Sequence, residues 1–133
     1  MKKSSILISV IFVVLICAAG CSSYMHGYTQ SRARDQYLKV DEKTENFGYK
    51  RIQYIIGFRK DAIRNFIEEK GFPGYLFEYK KEDEEGKKRD GFIFYYLNED
   101  KAYNFMEKNW KPDSARIIEI RDFTEFEKSR FGI

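Results

Sequence analysis

The sequence predicts a small α+β domain in which strands and helices follow one another in the order βαββαβ. Three observations carry that expectation. Between residues 49 and 121 the apolar side chains switch between a period of two, which suits a half-buried strand, and a period of 3.6, which suits a helix with one buried face. A charged run containing two glycines, residues 82–91, separates two apolar stretches as a hairpin turn would. The stretch after that turn is apolar on both faces while those on either side carry charges, the contrast between a central strand and edge strands.

Each element has its own justification. In residues 49–58 Ile52, Tyr54 and Ile56 alternate with Arg51, Gln53 and Ile55, which predicts a first strand. Residues 59–70 set Ala62, Ile63, Phe66 and Ile67 on one helical face, and Gly71 supplies the stop. Residues 72–80 hold a second strand that begins after the Pro73-Gly74 pair, and a third runs from Phe92 to Leu97. Asn98 as N-cap, Glu99 and Asp100 in an acidic first turn, and Ala102, Phe105 and Met106 on one face predict a second helix that ends near Trp110, before Pro112. Residues 115–121 form a fourth strand, and Thr124 followed by Glu127 is a capping box that opens a terminal helix. This order is the ferredoxin-like split βαβ plan, with sheet order 4-1-3-2 and both helices on one face.

The amino terminus is of a different kind. Lys2 and Lys3 precede an uncharged apolar run from Ile6 to Ala19, the layout of an export signal, and the run is short against the roughly 20 residues a membrane-spanning helix needs. At Ala18-Ala19-Gly20-Cys21 the segment resembles the lipobox of bacterial lipoproteins, with Ala18 where leucine is commoner. The resemblance covers residues 1–21. It implies cleavage before Cys21, a diacylglyceryl group on its sulfur and acylation of the new amino terminus, with anchorage outside the cytoplasm. Ser22, in place of the aspartate that retains such proteins at an inner membrane, implies the outer membrane in a two-membrane envelope. One acyl chain holds a protein to a bilayer only weakly, whereas two or three hold it durably. The expected organisation is a signal peptide over residues 1–20, a lipidated tether over residues 21–48 with a short helical piece between residues 31 and 44, and the folded domain over residues 49–133.

Removing 20 residues from 133 leaves 113, enough for one domain and a tether. Lys2 and Lys3 leave with the signal, so 22 of the 24 basic residues face 21 acidic ones and the mature chain carries a net charge of +1. A near-neutral domain has no long-range field to draw it to nucleic acid or acidic lipid. Cys17 also departs, which leaves Cys21 as the one sulfhydryl position and allows no internal disulfide.

Catalytic and metal chemistry finds little material. With one histidine, His26 in the tether, and no cysteine beyond the lipobox, neither a zinc ligand set nor a histidine-activated nucleophile can be assembled, and neither metal nor cofactor is expected. The acids at Glu68-Glu69 and at residues 82–85 read as solvated helix and turn positions, and Gly71 to Gly74 lacks the spacing of a phosphate loop. Residues 89–97 are similar to the RNP1 motif of the RNA recognition motif family, with an echo of RNP2 at residues 53–58. That resemblance would make Tyr54, Phe92 and Phe94 a base-stacking platform. Asp90, Ile93 and Tyr95 depart from the pattern and an exported chain meets little RNA, so nucleic acid is not expected as a partner.

What remains is an aromatic surplus: 12 Phe, 10 Tyr and 1 Trp. Two helices cover one face of a four-stranded sheet, yet the strands offer apolar side chains to both. The second face must be covered by the chain's own ends, by a second copy or by another protein. The expectation is therefore a non-enzymatic, lipid-anchored binding or scaffold domain that meets an envelope protein or itself through Tyr54, Phe92, Phe94 and Tyr96. The alternatives are an inhibitor or immunity-type lipoprotein, and a small envelope enzyme using carboxylates.

Overall fold

A computed structural model describes residues 32–58, 62–108 and 114–133. The signal peptide, Cys21, His26 and the segment around Trp110 and Pro112 lie outside the described residues. Strand β1 is Tyr37–Lys39, and helices α1 and α2 are Phe47–Phe58 and Ala62–Lys70. Strands β2, β3, β4 and β5 follow at Tyr75–Glu82, Lys88–Tyr96, Lys101–Glu107 and Ala115–Asp122. Helix α3, Glu125–Phe131, closes the chain. The strands form one antiparallel sheet whose spatial order equals chain order, β1-β2-β3-β4-β5.

This sheet overturns the ferredoxin-like βαββαβ expectation, although the protein is still α+β. Two elements carry the difference. Residues 49–58, expected as the first strand, are α1, and residues 101–107, expected as the second helix, are β4. In α1 the decisive spacing is Ile52, Ile55 and Ile56, which lie at i, i+3 and i+4 and pack together into the core. Asn46 caps this helix: its Oδ1 accepts from the Tyr49 N–H at 3.0 Å, and its Nδ2 donates to the Lys39 carbonyl at 2.9 Å. In β4 the alternation Tyr103, Phe105, Glu107 points one way, into the same core as β3. Asn98, Glu99 and Asp100, expected to start a helix, instead turn the β3–β4 hairpin, with Asp100 in the left-handed region at φ 51°.

Every pair of adjacent strands is antiparallel, so facing residues lie on one side of the sheet. On the first face Leu76, Phe92, Phe94, Tyr96, Tyr103 and Phe105 are buried under Ile52, Ile55, Ile63 and Ile67 of α1 and α2. Phe66 sits at the centre, with ring centroids 5.0 Å from Tyr103 and 5.1 Å from Phe105. On the second face α3 covers Tyr75 and Tyr95: Phe131 stacks on Tyr75 at 4.2 Å and meets Tyr95 edge-on at 4.9 Å. The surplus of rings is thereby used in two cores, and each ring of this size removes roughly 150–250 Å² from water.

The stretch before residue 49, expected as tether, belongs partly to the fold. Ala33 is fully buried, Tyr37 pairs with Phe77, and Leu38 and Val40 pack on the first core. Gly48 explains how α1 comes so near β1: a β-carbon there would lie 2.1 Å from the Lys39 carbonyl oxygen. Other expectations agree with the structure. The helix before Gly71, the strands after Gly74 and after the charged turn, the strand from Ala115 and the capping box of α3 are all present.

Candidate interaction surface

Three exposed isoleucines share one strand. Ile117, Ile118 and Ile120 on β5 are 39%, 56% and 57% exposed, and among the described residues β5 is the last strand of the sheet, with β4 on one side only. Large apolar residues standing together in water on an edge strand are a recognised place for another chain to pair, because the outer backbone groups of such a strand are still free to bond. The opposite edge differs. Strand β1 is three residues long, and Tyr37 on it is held by Phe77 at 4.9 Å and Phe131 at 5.5 Å.

The local geometry of β5 follows from its pairing. Asn104 faces Glu119 and Phe105 faces Ile117, so Ile118 is an extra residue in a bulge. From Glu119 onward the ladder is regular: Glu119 and Arg121 share the α3 face, Ile120 and Asp122 the opposite one. Ile120 lies across from Tyr103 and Asp122 across from Lys101, with which it forms an ion pair.

Arg121 fixes the end of this strand. Its guanidinium donates to both Glu127 oxygens, at 2.6 and 2.9 Å, and its Nε lies 3.2 Å from Glu119. Glu127 also accepts the Tyr95 hydroxyl at 2.7 Å and the Thr124 N–H at 2.9 Å. Burial alone would push the Glu127 carboxyl up, but these donors outweigh it and hold the group down at about 2. Burial, followed by the hydrogen bond to that carboxylate, pushes the Tyr95 phenol well above its ordinary range. The cluster is thus a permanent ionic clamp between sheet and terminal helix at neutral pH.

The other charged clusters are clamps of the same kind. Arg51 and Glu78 form a buried ion pair at 2.6 Å that ties α1 to β2, with Arg51 also over the Tyr54 ring at 4.8 Å. Lys70 pairs with Glu99 and lies 4.6 Å from the Tyr103 ring centroid and 5.3 Å from that of Tyr96. The hydrogen bond to Glu99 raises the Lys70 amine above its ordinary value, the opposite of what a nucleophilic lysine needs. Asp83 is held low by the Lys87 N–H and by Arg89 within the β2–β3 turn. Among the described residues no group of three or more His, Cys, Asp or Glu side chains could hold a metal ion, and no helix is long and apolar enough to cross a membrane.

The residues expected from sequence to meet a partner lie elsewhere. Phe92, Phe94 and Tyr96 are core residues, at most 4% exposed, beneath α1 and α2. Tyr54 is on α1, half-buried, and not on the sheet at all. Contact with another protein through the three strand residues would require the helix pair to lift away. The β5 isoleucines have a signal in the sequence: Ile117, Ile118 and Ile120 sit among Arg116, Glu119 and Arg121, more apolar bulk than a charged edge strand needs. No protein-family model, no curated protein and no solved structure matches the chain.

Proposed function

We propose that this chain is a lipid-anchored, extracytoplasmic binding module of a bacterial envelope, acting through protein–protein contacts made along β5. The observation that supports the reading is the open edge strand with three exposed isoleucines, set in a sheet whose faces carry the chain's own helices. Strand addition supplies affinity through main-chain hydrogen bonds, and alternate side chains supply selectivity. The lipobox resemblance at residues 18–21 supplies the address: acyl chains on Cys21 would hold the domain at a membrane surface, where the β5 edge meets envelope proteins. No catalytic step is part of this reading.

The test uses the full-length chain in intact cells. A photocrosslinking side chain at Ile118 should capture a defined protein, and the same group at the exposed Arg64 of α2 should not. Acyl labelling should be present on the native chain and lost in Cys21→Ser. Equal capture from both positions removes β5 as the contact, and an unlabelled native chain removes the anchor.

A further inference from the structure

Resting on the assignment of β5 as the contact strand, we infer that its partner is a second copy of this chain, paired antiparallel about a twofold axis that passes through Ile120. The charge pattern selects this arrangement. In the regular stretch beyond the bulge, Glu119 and Arg121 on one face alternate with Ile120 and Asp122 on the other, so a twofold that keeps faces matched must fall on one of these four residues. On Glu119 it sets glutamate against glutamate, on Arg121 arginine against arginine, and on Asp122 aspartate against aspartate. Like charges directly opposite one another destabilise a strand pair. On Ile120 it sets isoleucine against isoleucine, and Glu119 against the Arg121 of the second copy twice over. Both charged residues project from the α3 face, where Arg121 is already held in place by Glu127.

The same pairing accounts for Ile120, which is 57% exposed in one chain and would lie beside its own counterpart, with β-carbons roughly 5 Å apart. The shared strand is short, about three regularly paired residues or roughly 10 Å on each side. Two copies anchored in one membrane meet at a high effective concentration, which lets a contact of this size form without a large interface.

The experiment is disulfide trapping of the full-length chain in its native membrane. Under mild oxidation Ile120→Cys should give covalent dimer at least tenfold above Ile118→Cys, with the parent chain as background for Cys17 and Cys21. Adding Glu119→Arg to the Ile120→Cys chain should cut that yield at least fivefold, because arginine then faces Arg121. Equal yields at positions 118 and 120 overturn the Ile120 axis. No dimer from any β5 position, while the photocrosslinker at Ile118 captures a different protein, overturns the second copy and leaves the contact strand standing. No dimer and no capture, with the chain folded by its trypsin resistance, overturns both.

Discussion

Replacing Glu127 with glutamine should detach the terminal helix from the sheet. The carboxylate takes two hydrogen bonds from Arg121, one from Tyr95 and one from the Thr124 N–H, and it is 3% exposed. Its carboxyl is held at about 2 against an ordinary 4.5. At 1.36 kcal/mol per pKa unit that depression corresponds to roughly 3 kcal/mol, and solvent around the Arg121 end of the pair brings it nearer 2 kcal/mol. A second route gives a similar figure. Glutamine keeps the shape and one acceptor oxygen but loses charge assistance, and hydrogen bonds to charged groups contribute about 1.5–3 kcal/mol. The sign with pH follows from the depression: the stabilisation is fully present above about 4.5 and is lost as pH falls from there through about 2. Urea unfolding of the full-length chain in detergent should therefore show Glu127→Gln less stable by about 2–3 kcal/mol at pH 7, with the gap closing below pH 3. Amide exchange in α3 should accelerate before exchange in β3. A variant within 0.5 kcal/mol of the parent at pH 7, or a deficit that does not change between pH 7 and pH 3, would refute the ionic clamp.

Two glycines of α1 should respond in opposite directions. Gly48→Ala drives a β-carbon into the Lys39 carbonyl and should cost about 2–3 kcal/mol, as overpacking against backbone does, whereas Gly57→Ala meets nothing within 4 Å and should gain about 0.5 kcal/mol; urea midpoints decide both. The buried Arg51–Glu78 pair should cost about 3–5 kcal/mol when broken by Arg51→Met alone and recover most of that in Arg51→Met/Glu78→Leu, which a double-mutant cycle in urea would measure. Phe94→Ala should cost about 3–5 kcal/mol by the same assay, because its fully buried ring packs 5.3 Å from Phe105.

The segments legible in the sequence are those whose local signals have one reading. Helix α2 has four apolar residues at helical spacing and a glycine stop, the β2–β3 hairpin has its charged turn, and α3 has both halves of a capping box. Residues 49–58 have two readings. Ile52, Tyr54 and Ile56 alternate as in a strand, while Ile52, Ile55 and Ile56 lie on one face of a helix, and a short apolar run cannot decide between them. Contacts distant in sequence decide: Arg51 reaches Glu78, and Gly48 packs on Lys39. In β4 the true alternation is obscured because one of its inward residues is Glu107, buried at 5% exposure, while Ala102, Phe105 and Met106 mimic a helix. Strand β1, at three residues, is too short to show any period.

The expected partner face followed from those two reversals. Four strands with two helices on one side leave a bare aromatic face, on which the expected order places Tyr54, Phe92, Phe94 and Tyr96. With α1 a helix, the expected four strands fall to three, and β4 and β1 bring the sheet to five. The face carrying Phe92, Phe94 and Tyr96 then lies under α1 and α2, and α3 packs on the other around Tyr75 and Tyr95. Of the exposed large apolar residues, three stand together on one rim of the sheet, while Leu97, Phe126 and Ile133 are scattered off the edge strands, and the two rims are unequal. Strand β1 is short and carries a tyrosine locked among rings, while β5 is eight residues long and presents Ile117, Ile118 and Ile120. The bulge at Ile118 breaks the ladder in the middle of β5, as edge-protecting bulges do, while Glu119 to Asp122 stays regular and is braced by Arg121 and Glu127. A bulge in mid-strand and an ionic brace beyond it leave β5 one short regular stretch, and that restriction is what separates a selective edge from an aggregation hazard.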